Sequence, residues 1–140
     1  MVRIMDYSRL AIKEYDHWIA KVHHEQCLGR FLLWSKNRRG GTFLDVSPRE
    51  WKEAYMAGND IRFAVDRLWP AEEYTALCAG YRSSEVLHPH FIPRRDGALD
   101  FKGITFVDSK PWSIENIPSL DVPDEILYVI ADEIREALWL

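Results

Sequence analysis

The chain has 140 residues, 47% of them hydrophobic, with six Trp, six Tyr and six Phe. That length fits a single domain over residues 1–140 and buries about 68–70% of the unfolded surface, which excludes a disordered chain and a miniprotein that needs staples. The net charge is −4, from 18 basic and 22 acidic residues, which argues against broad nucleic-acid binding but leaves room for a small anion held by a local basic cluster.

The opening stretch MVRIMDYSRLAIKEYDHW carries charge throughout and lacks the apolar core of a signal peptide. No apolar run approaches the ~20 residues that span a bilayer, so a cytoplasmic protein without membrane association is expected. From Ser8 to His23, residues Ala11, Ile12, Tyr15, Trp18, Ile19 and Val22 recur at helical spacing, and an N-terminal helix is predicted there. Leu10 falls off its stripe. QCLGRFLLWSKN (26–37) reads as a strand, RRGG (38–41) as a loop and TFLDV (42–46) as a second short strand. Lys36, Arg38 and Arg39 beside Gly40 and Gly41 raise the question of an anion-binding loop. The spacing is not that of a phosphate loop, and a solvated connection is the simpler expectation.

Ser47, Pro48 and Glu50 form a helix start: a cap, a proline suited to the first helical position, and the partner of a capping box. Trp51, Ala54, Tyr55, Ile61, Val65 and Leu68 continue a long central helix until Pro70 stops it. EYTALCAGYR (73–82) and VLHPHFIPR (86–94) look like antiparallel strands joined by SSE. KGITFVD (102–108) is a further strand, and a Pro-rich passage follows. The last helix runs from about Val122 to Leu138, with Ile126, Leu127, Ile130, Ile134 and Leu138 buried and Asp124 and Glu125 at its positive end. The order predicts an α+β fold. Cys27 and Cys78, both in strand-like segments, are expected to be buried reduced thiols. The tryptophans pack a core or an interface, and one could flank a base without the sequence saying which. Trp139, at the chain end, suits a contact with another subunit.

His88 and His90 carry the chemistry. Alternate residues of a strand share a face roughly 6.5 Å apart, so the two imidazoles can converge on one small group such as a phosphate. Pro89 gives no N–H to a ladder, which predicts an edge strand or a local opening. On spacing alone, a surface pair, a metal site and a catalytic pair all stay open. A metal site takes about three protein ligands. His23 and His24 could join, but nothing in the sequence places them nearby.

The order of features resembles the histidine-triad (HIT) superfamily of nucleotide hydrolases and transferases, nearest to its diadenosine-polyphosphate-hydrolase-like branch. The family signature is His-x-His-x-His-x-x with x apolar, commonly ending in Pro-Arg, and VLHPHFIPR matches it from the second histidine onward. CLGRFLLWSKNR looks like the family's strand that begins Leu-Gly and ends basic, and FLDVSPREWKEA like its lead into the long helix. FKGITFVD and the closing helix also fit, so the resemblance covers residues 16 to 138.

The resemblance implies an antiparallel sheet of about five strands, with a long central helix and N- and C-terminal helices. It implies a homodimer whose sheet continues across the subunits. His88 takes the place of the nucleophile and His90 that of the third histidine, which contacts the phosphoryl oxygens or leaving group. Arg94 belongs to the pattern. Val86 replaces the first histidine but still offers the main-chain carbonyl that holds the nucleophile's second ring nitrogen. The usual Asn before the motif is lacking, and Ser83 and Ser84 are the nearest hydroxyls. Arg30 stands where the family often has His. The implied reaction transfers a nucleotidyl group from a dinucleoside polyphosphate or nucleoside phosphoramidate to His88 and then to water. No cofactor is bound by the protein; a substrate could bring its own Mg²⁺. The rate should fall with pH across the range where histidine titrates. Because of Val86, a catalytically weak or inactive nucleotide-binding or interaction module is the alternative.

Overall fold

A computed structural model of the chain describes residues 5–37, 43–79 and 86–139. Arg38, Arg39, Gly40, Gly41, Ser83 and Ser84 lie outside the described residues.

The first apolar residues alternate rather than wind. Asp6 caps a 3₁₀ turn, Tyr7–Leu10, by accepting from the Ser8 N–H at 3.1 Å. The chain then forms β1 (Ala11–Glu14) and returns as β2 (Trp18–Val22), paired antiparallel. Trp18, Ala20 and Val22 are buried while Ile19 and Lys21 are half-buried, the period of two of a strand. The helix predicted over Ser8 to His23 is therefore a hairpin. Its apparent stripe mixed inward residues such as Ile12, Trp18 and Val22 with Ala11 and Ile19 from the other face of the strands. Leu10, which that stripe left out, is in the core.

The strand predicted over 26–37 is split. β3 (Glu25–Gln26) and β4 (Phe31–Ser35) flank a tight turn in which Leu28 and Gly29 have φ of 73° and 111°. A Cβ on Gly29 would meet Val65 Cγ1 at 2.6 Å, so the position needs glycine for both backbone and space. TFLDV is not a strand either: Phe43–Asp45 makes a 3₁₀ turn and leads into the helix cap. Ser47 Oγ accepts from the Glu50 N–H at 3.2 Å and donates to Glu50 Oε1 at 2.9 Å, the predicted capping box. α1 (Pro48–Leu68) follows, burying Ala54, Ala57, Ile61, Ala64 and Val65. Its alanines let the helix lie close against the sheet, and the Trp18 indole reaches across to donate to the Glu50 carbonyl at 2.9 Å.

β5 (Glu73–Ala79) and β6 (His88–Arg94) pair along their whole length, as predicted. β7 (Ala98–Phe101) and β8 (Ile104–Val107) form a hairpin; β8 sits within the predicted 102–108 strand, while β7 is too short to announce itself by alternation. β9 (Leu120–Asp121) pairs with β3 out of the Pro-rich passage. α2 (Asp124–Ala137) buries Leu127, Ile130, Ala131, Ile134 and Ala137.

The main sheet has five antiparallel strands in the order β1-β2-β4-β6-β5, with both helices packed on the core and the architecture α+β as expected. β6 lies between β4 and β5, so Pro89 is not on an edge strand. The local opening is real: β6 pairs with β4 at Phe91 and His90, and the contact resumes only where Ser35 N–H donates to the Leu87 carbonyl at 3.0 Å. β5 is an outer strand, and its Cys78 is exposed, contrary to expectation, while Cys27 is buried; the two are not joined in a disulfide. No helix among the described residues is long and apolar enough to cross a membrane.

Candidate active site

The pleat gives the sheet two faces. Val22, Phe31, Leu33 and Leu87 belong to the helix-covered core. Lys21, Leu32 and His90 are aligned by the register Lys21↔Leu32 and Leu32↔His90, and they point the other way. With Trp34, His88, His23, His24 and Tyr7 they line an open cleft of about 460 Å³.

His88 and His90 meet in this cleft, their ring centroids 4.9 Å apart and the rings edge to face. His88 Nδ1 lies 2.5 Å from the Val86 carbonyl oxygen. A carbonyl only accepts, so Nδ1 carries the hydrogen and Nε2 keeps its lone pair. Trp34 leans on the same ring at 5.5 Å. His90 is in the opposite state. Its Nδ1 is 3.3 Å from Nη2 of Arg30, and a guanidinium only donates, so Nδ1 accepts and Nε2 bears the hydrogen. The cleft thus sets a lone-pair nitrogen beside an N–H donor.

Arg30 arrives there through the tight turn before β4. Gln26, fully buried, staples that turn: its Nε2 donates to the His23 and Arg30 carbonyls at 2.7 and 2.9 Å, and its Oε1 accepts from the Gly29 N–H at 2.9 Å. The same staple sets His23, whose ring sits edge-on to His90 at 5.0 Å with His24 stacked behind it at 4.4 Å. His23 and His24 are therefore part of the cleft. The sequence held no sign of this, because only the turn and the β2–β4 pairing bring them round. Burial, then the nearby Arg30 charge, pushes the His90 pKa down to about 3 and that of His23 down to about 4. Among the described residues no group of three or more His, Cys, Asp or Glu is arranged to hold a metal ion.

Two residues flagged in the sequence stand elsewhere. Arg94 is 1% exposed and does not line the cleft. Its guanidinium pairs with Asp108 at 2.6 and 3.2 Å and donates to the carbonyls of Ser113, Lys110 and Asn116, fastening the passage after β8 to β6. Lys36 donates to the Tyr15 carbonyl at 3.1 Å and pairs with Glu14, closing the β1–β2 hairpin. Of the tryptophans, Trp18 and Trp69 are core, Trp112 and Trp139 are exposed, and Trp34 is the one in the cleft. Lys21, over the Trp34 ring at 4.8 Å, was not singled out by any motif. Strand alternation plus the register to His90 is the signal that finds it.

No family model matches the sequence, and no curated protein matches it. Solved structures do. A HIT-like protein involved in cell-cycle regulation from Bartonella henselae is 25% identical, with a TM-score of 0.63 over 91% of this chain and 86% of that one. A hypothetical histidine triad nucleotide-binding protein from Sulfolobus tokodaii is 18% identical, with a TM-score of 0.68 over 93% and 83%. The diadenosine triphosphate hydrolase of Plasmodium falciparum is 17% identical, with a TM-score of 0.61 over 91% and 75%.

Proposed function

We propose that this chain, whose fold is that of histidine triad proteins, binds nucleotides in the cleft at His88 and His90 and hydrolyses them through a nucleotidyl-histidine. The observation that carries the reading is the Val86 carbonyl holding His88 Nδ1, which leaves Nε2 as an unprotonated nucleophile despite the missing first histidine. His88 attacks the α-phosphorus of a dinucleoside polyphosphate or related conjugate, the remaining phosphate chain leaves, and water releases a nucleoside monophosphate. The N–H of His90 meets charge developing on the phosphoryl oxygens, a donor already in place before the reaction. Trp34 and Tyr7 offer apolar surface to a base. A substrate-borne Mg²⁺ would neutralise the phosphate chain.

The experiment is release of AMP from diadenosine triphosphate, followed with intact-mass detection of a nucleotidyl adduct. His88→Ala should abolish both while the fold persists. Val86 lacks the side chain of the family's first histidine, and that favours the second reading, a module that binds nucleotide with little turnover. Thermal stabilisation by AMP without AMP release would establish it. A strong gain of hydrolysis in Val86→His would show an intact but weakened site.

The same reading makes the protein a homodimer. β5 is one of the two outer strands of the sheet, and an apolar groove of about 340 Å³ between α1 and the β5–β6 pair is bordered by Trp51, Tyr55 and Tyr74, with Tyr55 73% exposed. A monomer in sedimentation equilibrium would reject this part.

A further inference from the structure

Arg30 is 9% exposed, yet it is not spent on the scaffold. Its Nη2 donates to His90 Nδ1 at 3.3 Å, and its buried Nε has no partner among the described residues. A buried guanidinium costs free energy unless its donors are used. Here the turn that delivers it is stapled by a fully buried glutamine and can be made only with glycine at position 29. The chain therefore holds a fixed positive charge against one nitrogen of one cleft histidine.

A proton on His90 Nδ1 would remove the acceptor Arg30 donates to and bring two cations to hydrogen-bond distance. His90 is thus confined to the uncharged ring with hydrogen on Nε2. Other groups facing this ring are His23 from the turn after β2, His88 from its own strand and Glu25 from β3. Glu25 is the one carboxylate among them, and it is engaged by the Ser119 hydroxyl at 2.7 Å.

We infer that Arg30 is a positioning residue that keeps His90 a neutral hydrogen-bond donor, and that it thereby restricts the site to leaving groups that depart as phosphate anions rather than as amines. This rests on the nucleotidyl-histidine reading. When His88 Nε2 bonds to the α-phosphorus of a phosphoanhydride, the P–O bond breaks and the phosphate chain leaves with the electron pair; no proton is needed. When the substrate is a phosphoramidate, the P–N bond breaks and the amine nitrogen must gain a proton as it leaves. A neutral imidazole N–H is far too weak an acid to give one, and His90 is the donor at hand. In the second step water adds to phosphorus, the N–P bond returns its pair to Nε2, and the water's proton passes to solvent.

The test uses the full chain with histidine ring ¹⁵N labels and two probes, diadenosine triphosphate and an N-alkyl phosphoramidate of AMP. The wild-type His90 ring should show hydrogen on Nε2 only, unchanged from about pH 5 to about pH 8, while an ordinary histidine titrates in that window. The polyphosphate should turn over at least about a hundredfold faster than the phosphoramidate, the scale of missing general-acid catalysis. In Arg30→Gln the midpoint of His90 protonation should move up from its wild-type position, with burial still holding it below the ordinary histidine value, and the ratio should narrow by about tenfold or more. A wild-type ring that titrates normally or carries hydrogen on Nδ1 overturns the role of Arg30, with no variant required. An unchanged ratio in Arg30→Gln overturns the leaving-group restriction. Turnover of neither probe by the wild type rejects the hydrolase reading and the restriction with it, while the ring spectrum still decides what Arg30 does to His90.

Discussion

Arg94 and Arg30 are both buried, and they are buried for different ends. Arg94 lies at the close of β6 with its donors taken by Asp108 and three main-chain carbonyls; the side chains of the ion pair are 1% and 6% exposed. Arg30 lies just before β4 with a 3.3 Å contact to a histidine and an Nε that has no partner among the described residues. A saturated guanidinium is a fastener whose removal strands its partners. An unsaturated one exerts its charge on a neighbour, here the ring that faces the cleft. Burial alone does not separate these two roles; the accounting of donors does.

The contrast can be broken most sharply at Arg94. Arg94→Met should cost about 3–5 kcal/mol in denaturant unfolding, because Asp108 is left charged and unpaired in the interior. Adding Asp108→Leu should recover part of that loss, and only part, since the carbonyls of Ser113, Lys110 and Asn116 still lack a donor. Gly29→Ala attacks the support of the other arginine. Its φ of 111° and the 2.6 Å approach to Val65 should cost about 2–4 kcal/mol and displace Arg30, seen as a changed His90 ring spectrum. Arg30→Met should change stability by no more than about 1 kcal/mol, since a poorly satisfied buried cation gives way to an apolar chain of similar length. A loss as large as that at Arg94 would place Arg30 among the fasteners.

The last comparison is of the pH dependence of stability. His90 is held near 3 and His23 near 4, below the ordinary 6.5, so the unfolded chain binds protons that the folded one refuses. Stability from these rings is whole above about pH 6.5 and is lost as pH falls from there toward about 4 for His23 and about 3 for His90. Arg30→Met should flatten that slope in part, by removing the repulsion and leaving the burial. A slope in Arg30→Met identical to that of the wild type in a thermal-denaturation series would sever the link between the arginine and the histidines.

Much of this was legible in local sequence. The Ser47–Glu50 box, the extent of α1, the face of α2, the β5–β6 pair and the shared side of His88 and His90 follow from spacing and end chemistry over a few residues. The hairpin at β1–β2 was not, because Ile12, Tyr15 and Ile19 satisfy a helical period equally well, and only pairing with β4 chooses the strand. Arg94 read as a site residue for its place in a pattern, and Arg30 as a departure from one. Their roles depend on which carboxylates, carbonyls and rings end up within about 3 Å, the reach of a hydrogen bond.

By itself the sequence determined the alternation that turns two imidazoles to one side of a strand, the cap and breaker that bound α1, the acidic start of α2, and the α+β class. The tertiary structure alone decided that β6 is an inner strand, that His23 and Arg30 close on His90, and that Trp34 and Lys21 border the same cleft. Periodicity is written in neighbours along the chain. Strand order and the partners of a charged side chain arise from contacts between segments far apart in sequence, where no local pattern records them.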